Sequence, residues 1–237
     1  MILRRIAQHM KQQHWTGVFI ELVIVVVGVF IGLQADNWNT ARKQRQTEVE
    51  LVRELRSNLV TAIEIKTHWI KFQEKNLHDL EDGIAVVQGL DASPSLSADE
   101  CTALWQSGIN MFSPSYNPTL IGLLSPSRLG IINDAKLRAA LLSYDSSQER
   151  ASVYIERVTG TGVMVADQYP DAFPRLLNPH SADLSDATCK LEKIRASQAL
   201  QNKLLSNLGR VHGILRVANV ELSQLKQLES DVDAYHP

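Results

Sequence analysis

The chain lacks the short residue patterns that carry most catalytic chemistry. It contains no HExxH, GxSxG, GxxxxGK[ST] or GxGxxG, and its 7 histidines show no zinc-binding spacing. It also lacks a strong charge of either sign, since 24 basic residues oppose 26 acidic ones for a net charge of -2. We therefore expect that the protein is not an enzyme and has no catalytic residues. We also expect no bound metal, no cofactor and no nucleic-acid partner.

Cysteine is scarce, since Cys101 and Cys189 are the only two in the chain. In an exported domain such a pair can form one disulfide, whereas in a reducing compartment the same residues stay two separate thiols. The sequence leaves both interpretations open.

Proline and glycine are missing from a long stretch after Trp38, up to Gly83. Apolar residues there recur at intervals of three and four, which predicts one amphipathic helix over about residues 40–88. A second stretch, from about 186 to 232, lacks proline and carries a heptad-like apolar stripe typical of coiled-coil packing. Strand-like alternation is missing, so we predict an all-α fold: one N-terminal transmembrane helix followed by a long antiparallel helical bundle.

Shorter elements lie between these two long helices. Ser97 and Glu100 have the spacing of a capping box and predict a short helix that begins there. Asn133 is expected to cap a further helix that runs toward Ala166. The proline-containing segment 169–180 is expected to be a loop.

Against this background one long apolar run is present, from Thr16 to Ala35, with Glu21 as its one charged residue. At about 1.5 Å per helical residue the run spans about 30 Å, the thickness of the hydrocarbon core of a bilayer. Trp15 and Trp38 flank it where interfacial aromatic residues would lie. These features predict a transmembrane helix over 15–38.

This helix divides the chain into three parts. Residues 1–14 form a short basic cytoplasmic tail, residues 15–38 the membrane span, and residues 39–237 a helical extramembrane domain. Basic residues are nearly balanced on the two sides of the span, so the positive-inside rule does not decide the orientation. The cysteine pair and the signal-like position of an uncleaved anchor favour a periplasmic domain.

The predicted membrane helix has one distinctive side. At 100° per residue, its small residues and its one charged residue fall within a sector of about 80°. Within this set Gly28 and Gly32 form a GxxxG, which lets helix backbones approach closely in lipid. We therefore predict association with a second copy or another membrane protein through a surface called here the glycine face, made of Gly17, Glu21, Ile24, Gly28, Gly32 and Ala35.

The anchor and its flanks carry the sequence IELVIVVVGVFIGLQADNWN behind a short basic leader. Over about residues 1–45 the chain resembles an uncharacterised family of bacterial single-pass membrane proteins with this type of anchor and a helical domain behind it. The resemblance implies a location in the inner membrane of a Gram-negative bacterium. It implies no catalytic residue.

A second resemblance is to type IV pilins, whose leader ends in glycine before an apolar helix that carries a glutamate. Gly17 and Glu21 would fill these two positions. The chain departs from the pilin pattern because Glu21 is the fourth residue after Gly17, where pilins have the acid at the fifth, and because Val18 replaces an aromatic residue. A third and weaker resemblance, one intramembrane carboxylate, is to single-span subunits of proton-driven channel complexes.

Together these patterns predict a membrane-anchored helical scaffold or interaction protein whose contacts are the lipid bilayer and another membrane helix. The competing hypothesis is a periplasmic ligand sensor or an accessory subunit of a larger complex, since helical bundles can hold small ligands between their helices. An apolar pocket with converging polar groups would favour sensing, and a filled core would favour a scaffold.

Overall fold

A computed structural model describes residues 15–91, 93, 95–109, 122–174 and 188–235 of the chain. The predicted basic tail, 1–14, lies outside this range. Throughout the described residues every regular element is a helix and none is a strand, which confirms the all-α prediction. The chain divides into two compact units, Met1–Glu50 and Leu51–His236, which are treated separately below. The predicted membrane boundaries stay a prediction.

Seven helices follow one another along the described chain. The first is far longer than the others and continues through Asn37 and Asn39 without a break. The helices are α1 (Trp15–Gln88), α2 (Ala98–Gln106), α3 (Pro126–Leu129), α4 (Ala135–Thr159), α5 (Val165–Gln168), α6 (Leu191–Arg195) and α7 (Gln198–Asp233).

The described part of the first unit consists of the N-terminal portion of α1. Its large apolar side chains from Phe19 to Leu33 are all exposed. Over this portion α1 is long and apolar enough to cross a bilayer, and none of its most apolar stretch is buried. An apolar surface of this size in contact with water is unfavourable, so the segment is suited to an apolar environment.

In the second unit α1 packs antiparallel against α7. Three side-chain pairs join the two helices, and residue numbers rise along α1 as they fall along α7. The pairs are Arg56 with Asp233, Lys66 with Glu221, and Glu81 with His212, at N–O distances of 2.6, 2.7 and 2.9 Å. The antiparallel packing of the long first and last helices is thereby confirmed.

The helix α4 is also antiparallel to α7. The Ser147 hydroxyl donates to the Gln224 side-chain oxygen over 2.8 Å, and about two turns further along α4 the Tyr154 hydroxyl lies against Gly213. A Cβ atom at Gly213 would overlap that hydroxyl, so glycine permits the close approach. The helices α1 and α4 therefore run parallel, both antiparallel to α7.

The apolar core of the second unit consists of two clusters. The disulfide-side cluster is centred on α1, α2 and the part of α7 up to Leu222, and Cys189 packs against it. Its buried members include Ile70, Leu80, Ile84, Leu104, Phe173, Leu204, Val211, Leu215 and Leu222. The α3-side cluster joins the other end of these long helices to α3 and α4; its buried members include Leu51, Leu55, Leu59, Leu129, Leu137, Leu141, Tyr144, Leu225, Leu228 and Val232.

Local capping determines where the shorter helices begin. The capping box predicted at Ser97 and Glu100 is present, with both reciprocal hydrogen bonds formed. The helix expected to start at Asn133 is instead capped by Asp134, whose carboxylate accepts the Leu137 amide over 2.8 Å. That helix, α4, ends at Thr159 and does not reach Ala166.

The last helix is also shorter than predicted. The stretch expected to be one helix from about 186 is divided into α6 and α7. Ser197 causes the division, because its hydroxyl accepts the Leu200 amide over 3.2 Å and so caps a new helix.

The C-terminus of α1 is closed by Gly89 and Arg195. Gly89 has a φ of +71°, and the Leu90 amide donates back to the Ala85 carbonyl over 2.9 Å, as in a Schellman motif. The Arg195 guanidinium donates to the Val86 carbonyl over 2.6 Å and also to the carbonyl of the next residue. A cation at this position also complements the negative end of the helix dipole.

The two exposed glycines Gly89 and Gly209 should respond oppositely to alanine. Gly89→Ala should lower the free energy of unfolding by about 1 kcal/mol, because an L side chain is strained at positive φ. Gly209→Ala, inside α7 where a Cβ meets no atom within 4 Å, should raise it by about 0.5–1 kcal/mol. Urea unfolding of the full chain in detergent, followed by circular dichroism, measures both; effects of the same sign would contradict the assignment.

Candidate functional site

The glycine face lies on the exposed N-terminal portion of α1. Glu21, Ile24 and Ala35 are exposed, and a Cβ atom placed at Gly28 or Gly32 would meet no atom within 4 Å. Gly17 falls in a part of α1 whose backbone alone is described. The structure thus places the described members of the face along one helix with open space beside the two glycines.

The chemistry of this face follows from its small residues. Two glycines one turn apart leave a shallow groove in the helix surface, so a second backbone can come close enough for extensive dispersion contact. Glu21 adds one carboxyl group on the same side, two turns before Gly28. The face therefore combines shape for close packing with one polar group that can hydrogen-bond across an interface.

The two predicted interfacial tryptophans also lie on α1. Trp38 is exposed over 69% of its surface, as a side chain at a membrane interface would be. Trp15 begins the helix, and its side chain lies outside the described part of the structure.

The two cysteines are joined in a disulfide. Their sulfur atoms are 1.99 Å apart and their Cα atoms 5.7 Å apart, so the bond connects α2 to the segment that precedes α6. Cys101 is buried, and Cys189 packs against the disulfide-side cluster. The sequence left open whether the two cysteines are bonded or are separate thiols, and in the structure they are bonded.

A buried ion pair joins α1 to α7 in the middle of the second unit. The Lys66 Nζ atom lies 2.7 Å from the Glu221 Oε2 atom, and each side chain is 2% exposed. Burial lowers the pKa of Lys66, and the attraction of Glu221 opposes that shift. Burial raises the pKa of the neighbouring Tyr144, and the Glu221 carboxylate adds to the rise.

A hydrogen-bonded network closes the end of the bundle near α2. The Asn207 side chain donates to the Val163 carbonyl over 2.9 Å and accepts the Val163 amide over 3.3 Å, so it pairs with that peptide as a strand would. It also donates to the Ser107 hydroxyl, while Arg210 donates to the Ser107 carbonyl over 2.7 Å. The network connects three separate segments through buried groups.

Arg210 in this network is itself buried, and burial lowers its pKa. Its guanidinium lies directly against Gly162, where a Cβ atom would overlap it. Gly108 likewise lies against the Val163 backbone with no room for a side chain. These two glycines therefore permit close contacts that a side chain would prevent.

The sequence alone did not identify the four buried polar residues of the ion pair and the network, which are Lys66, Glu221, Asn207 and Arg210. Lys66 lies four residues before Ile70 in the apolar stripe of α1, and Glu221 directly precedes Leu222 in that of α7. Asn207 and Arg210 lie in the same stripe of α7. A charged or amide residue at a core-facing position is the signal that would have identified them.

Two clefts occur at the surface of the second unit. One, about 90 Å³, lies between α1 and α2, where Lys75 donates to Asp79 over 3.0 Å and to Asp99 over 3.2 Å. The other is an open groove of about 660 Å³ beside the disulfide. The first is lined mainly by polar side chains, and the described residues contain no group of three metal-ligating side chains.

Comparison of the chain with models of protein families, with curated proteins and with solved structures found no match in any of the three. Function must therefore be argued from the glycine face, the disulfide and the filled core of the bundle.

Removing one member of the buried ion pair should be far more damaging than removing both. Lys66→Met or Glu221→Leu alone should lower the free energy of unfolding by about 3–5 kcal/mol, because each leaves a buried charge uncompensated. The double variant should recover most of that loss. Thermal and urea unfolding of the full chain in detergent give these values.

The matched control is the exposed pair of Arg56 and Asp233, which joins the same two helices. Arg56→Met and Asp233→Leu should each change stability by less than about 1 kcal/mol, because exposed pairs contribute little. Equal effects at the two pairs, or a Lys66 and Glu221 double variant no better than the single ones, would contradict the assignment.

Proposed function

We propose that this protein is a single-pass inner-membrane protein in which α1 spans the bilayer and the second unit acts as a periplasmic scaffold or interaction module. The anchor itself takes part in the interaction, since the glycine face binds another membrane helix. The observation that carries the proposal is the coincidence of Gly28, Gly32 and Glu21 on one exposed side of the most apolar helix.

The membrane assignment is supported by the contrast between the two parts of α1. From Phe19 to Leu33 its large apolar side chains are all exposed, whereas Leu51, Leu55 and Leu59 are buried. In the second unit the exposed apolar residues of α1, such as Phe72, stand singly beside a buried stripe, whereas the segment from Phe19 to Leu33 is exposed on all sides. An apolar surrounding for that segment explains the contrast.

The periplasmic assignment is supported by the disulfide. Structural disulfides persist in oxidising compartments such as the bacterial periplasm and are rare in the cytosol. The bond between Cys101 and Cys189 closes a loop over a sequence separation of 88, so it restricts the unfolded chain strongly. The resemblance of the anchor to a family of inner-membrane proteins agrees with this location.

Association through the glycine face is supported by the cost of Glu21. Glu21 lies about 8 Å from the midpoint of the predicted span, so its cost is below the value of about 2.5–3.5 kcal/mol for a charge at the centre of a bilayer. Intramembrane ionisable residues nevertheless usually face a partner. The two glycines on the same side provide the close approach that a hydrogen bond from the carboxyl group requires. The carboxyl group of Glu21 and the packing surface at the two glycines therefore both favour an interface on this side of the helix.

The sensor hypothesis has less support. A ligand site inside the bundle would need an apolar pocket with converging polar groups. In the described residues the space between α1, α4 and α7 is instead occupied by two apolar clusters and the ion pair of Lys66 and Glu221. A pilin-like subunit is also less supported, since the described C-terminal half is helical where pilins have a β-sheet.

Enlarging the glycine face should reduce association of the membrane helix. Gly28→Ile together with Gly32→Ile should lower the yield of crosslinked complexes in native membranes about tenfold, which corresponds to about 1.4 kcal/mol of binding. Crosslinking followed by mass spectrometry measures the yield and identifies the partner, which is a second copy or another protein.

The control enlarges the opposite side of the same helix, at Val26→Ile together with Val29→Ile. These variants add volume against lipid and should leave the crosslinking yield within about twofold of wild type. An unchanged set of crosslinked species in the double glycine variant would refute association through this face.

A further inference from the structure

Polar side chains are concentrated where the two apolar clusters of the second unit meet. We call this set the polar layer. It consists of Lys66 from α1, Ser147 from α4, and Glu221 and Gln224 from α7, and Tyr144 of the α3-side cluster borders it. Lys66 pairs with Glu221 over 2.7 Å, and the Ser147 hydroxyl donates to the Gln224 oxygen over 2.8 Å. All three long helices therefore contribute to it.

The layer lies where the two clusters meet: on α1 Lys66 lies between them, and on α7 Glu221 and Gln224 alternate with their end members Leu222 and Leu225. On α1 the α3-side cluster ends at Leu59 and the disulfide-side cluster begins at Ile70. On α7 the disulfide-side cluster ends at Leu222 and the α3-side cluster begins at Leu225. Among the described residues no buried apolar side chain belongs to both clusters, and only the partly buried Ile63 packs against both. Apolar packing, which makes unfolding cooperative, is thus reduced at this level of the bundle.

The two clusters are held by bonds of different kinds. The disulfide-side cluster has the Cys101 to Cys189 bond and the buried network around Asn207 and Arg210. The α3-side cluster has exposed ion pairs, Arg56 with Asp233 and Arg128 with Glu54 at 3.4 Å. Exposed pairs add little, whereas a disulfide restricts the unfolded chain, so we expect the α3-side cluster to be the less stable of the two.

We propose that the polar layer makes the α3-side cluster a separate opening unit. In the open state α3, the first turns of α4 and the last turns of α7 lose their mutual packing, while the disulfide-side cluster stays folded. Water that enters as far as the layer can hydrate charged and hydroxyl groups there. Opening at this level therefore costs less free energy than opening that exposes the middle of an apolar core.

Opening uncovers an apolar surface that the closed state buries. On α7 this surface consists of Leu225, Leu228 and Val232, which recur at intervals of three and four residues. A stripe of this spacing is the surface by which amphipathic helices pack against one another. The layer is therefore a conformational device that controls when the stripe is exposed.

Hydrogen exchange of the full-length wild-type protein in detergent, measured by mass spectrometry with the disulfide intact, tests the proposal. Amides in residues 137–144 and 225–232 should exchange through one shared opening that is about a hundredfold more frequent than the opening of residues 204–215. Equal protection of the two clusters would overturn the proposal. Different opening rates for the 137–144 and 225–232 segments would also overturn it, because they would indicate simple fraying of α7.

A second measurement tests whether the layer is the cause. Lys66→Met with Glu221→Leu replaces the charged pair by apolar side chains and should raise the protection of residues 137–144 about tenfold or more. The control, Arg56→Met with Asp233→Leu, alters an exposed pair between the same helices and should produce no such rise. Unchanged protection in the Lys66 and Glu221 variant would show that the layer does not set the boundary.

Discussion

Removal of the apolar surface of α1 from water is the constraint on which the other features depend. Beyond Leu51 this helix buries its apolar side chains against α4 and α7, and the packing organises the second unit. From Phe19 to Leu33 its large apolar side chains are exposed, so this part of the helix is suited to a different apolar surrounding. A bilayer is the surrounding that we propose, and a helix can enter one because its backbone hydrogen bonds are satisfied internally.

The buried polar groups of the second unit determine the register in which its helices pack. Apolar stripes alone tolerate shifts in register, whereas the pair of Lys66 and Glu221 has one favourable alignment, because any other leaves a charge buried without its partner. Asn207 performs a similar task where it pairs with the Val163 peptide. These groups contribute less to total stability than to the choice of one arrangement.

Helical periodicity, the capping box at Ser97 and the antiparallel packing of the long helices could be predicted because each rests on local or repeating patterns. The start of α7 could not, since Ser197 lies in a run without proline or glycine and its capping role depends on its hydrogen bond to Leu200. The ion pair depends on two residues 155 positions apart, and one sequence carries no signal that joins them. The residues of the glycine face could be predicted from helical geometry. The partner could not, because its identity depends on the sequence of the other helix.

Labelling with a membrane-impermeant thiol reagent on intact bacterial cells with a permeabilised outer membrane tests the central claim directly. An introduced thiol at Ser206→Cys, on the exposed side of α7, should react at once, whereas Gln8→Cys should react only after the inner membrane is opened. In the wild-type chain Cys101 and Cys189 should react only after reduction and unfolding, because they are bonded. Labelling of Gln8→Cys from outside while Ser206→Cys is protected, or release of the protein from membranes by alkaline washing, would contradict the account.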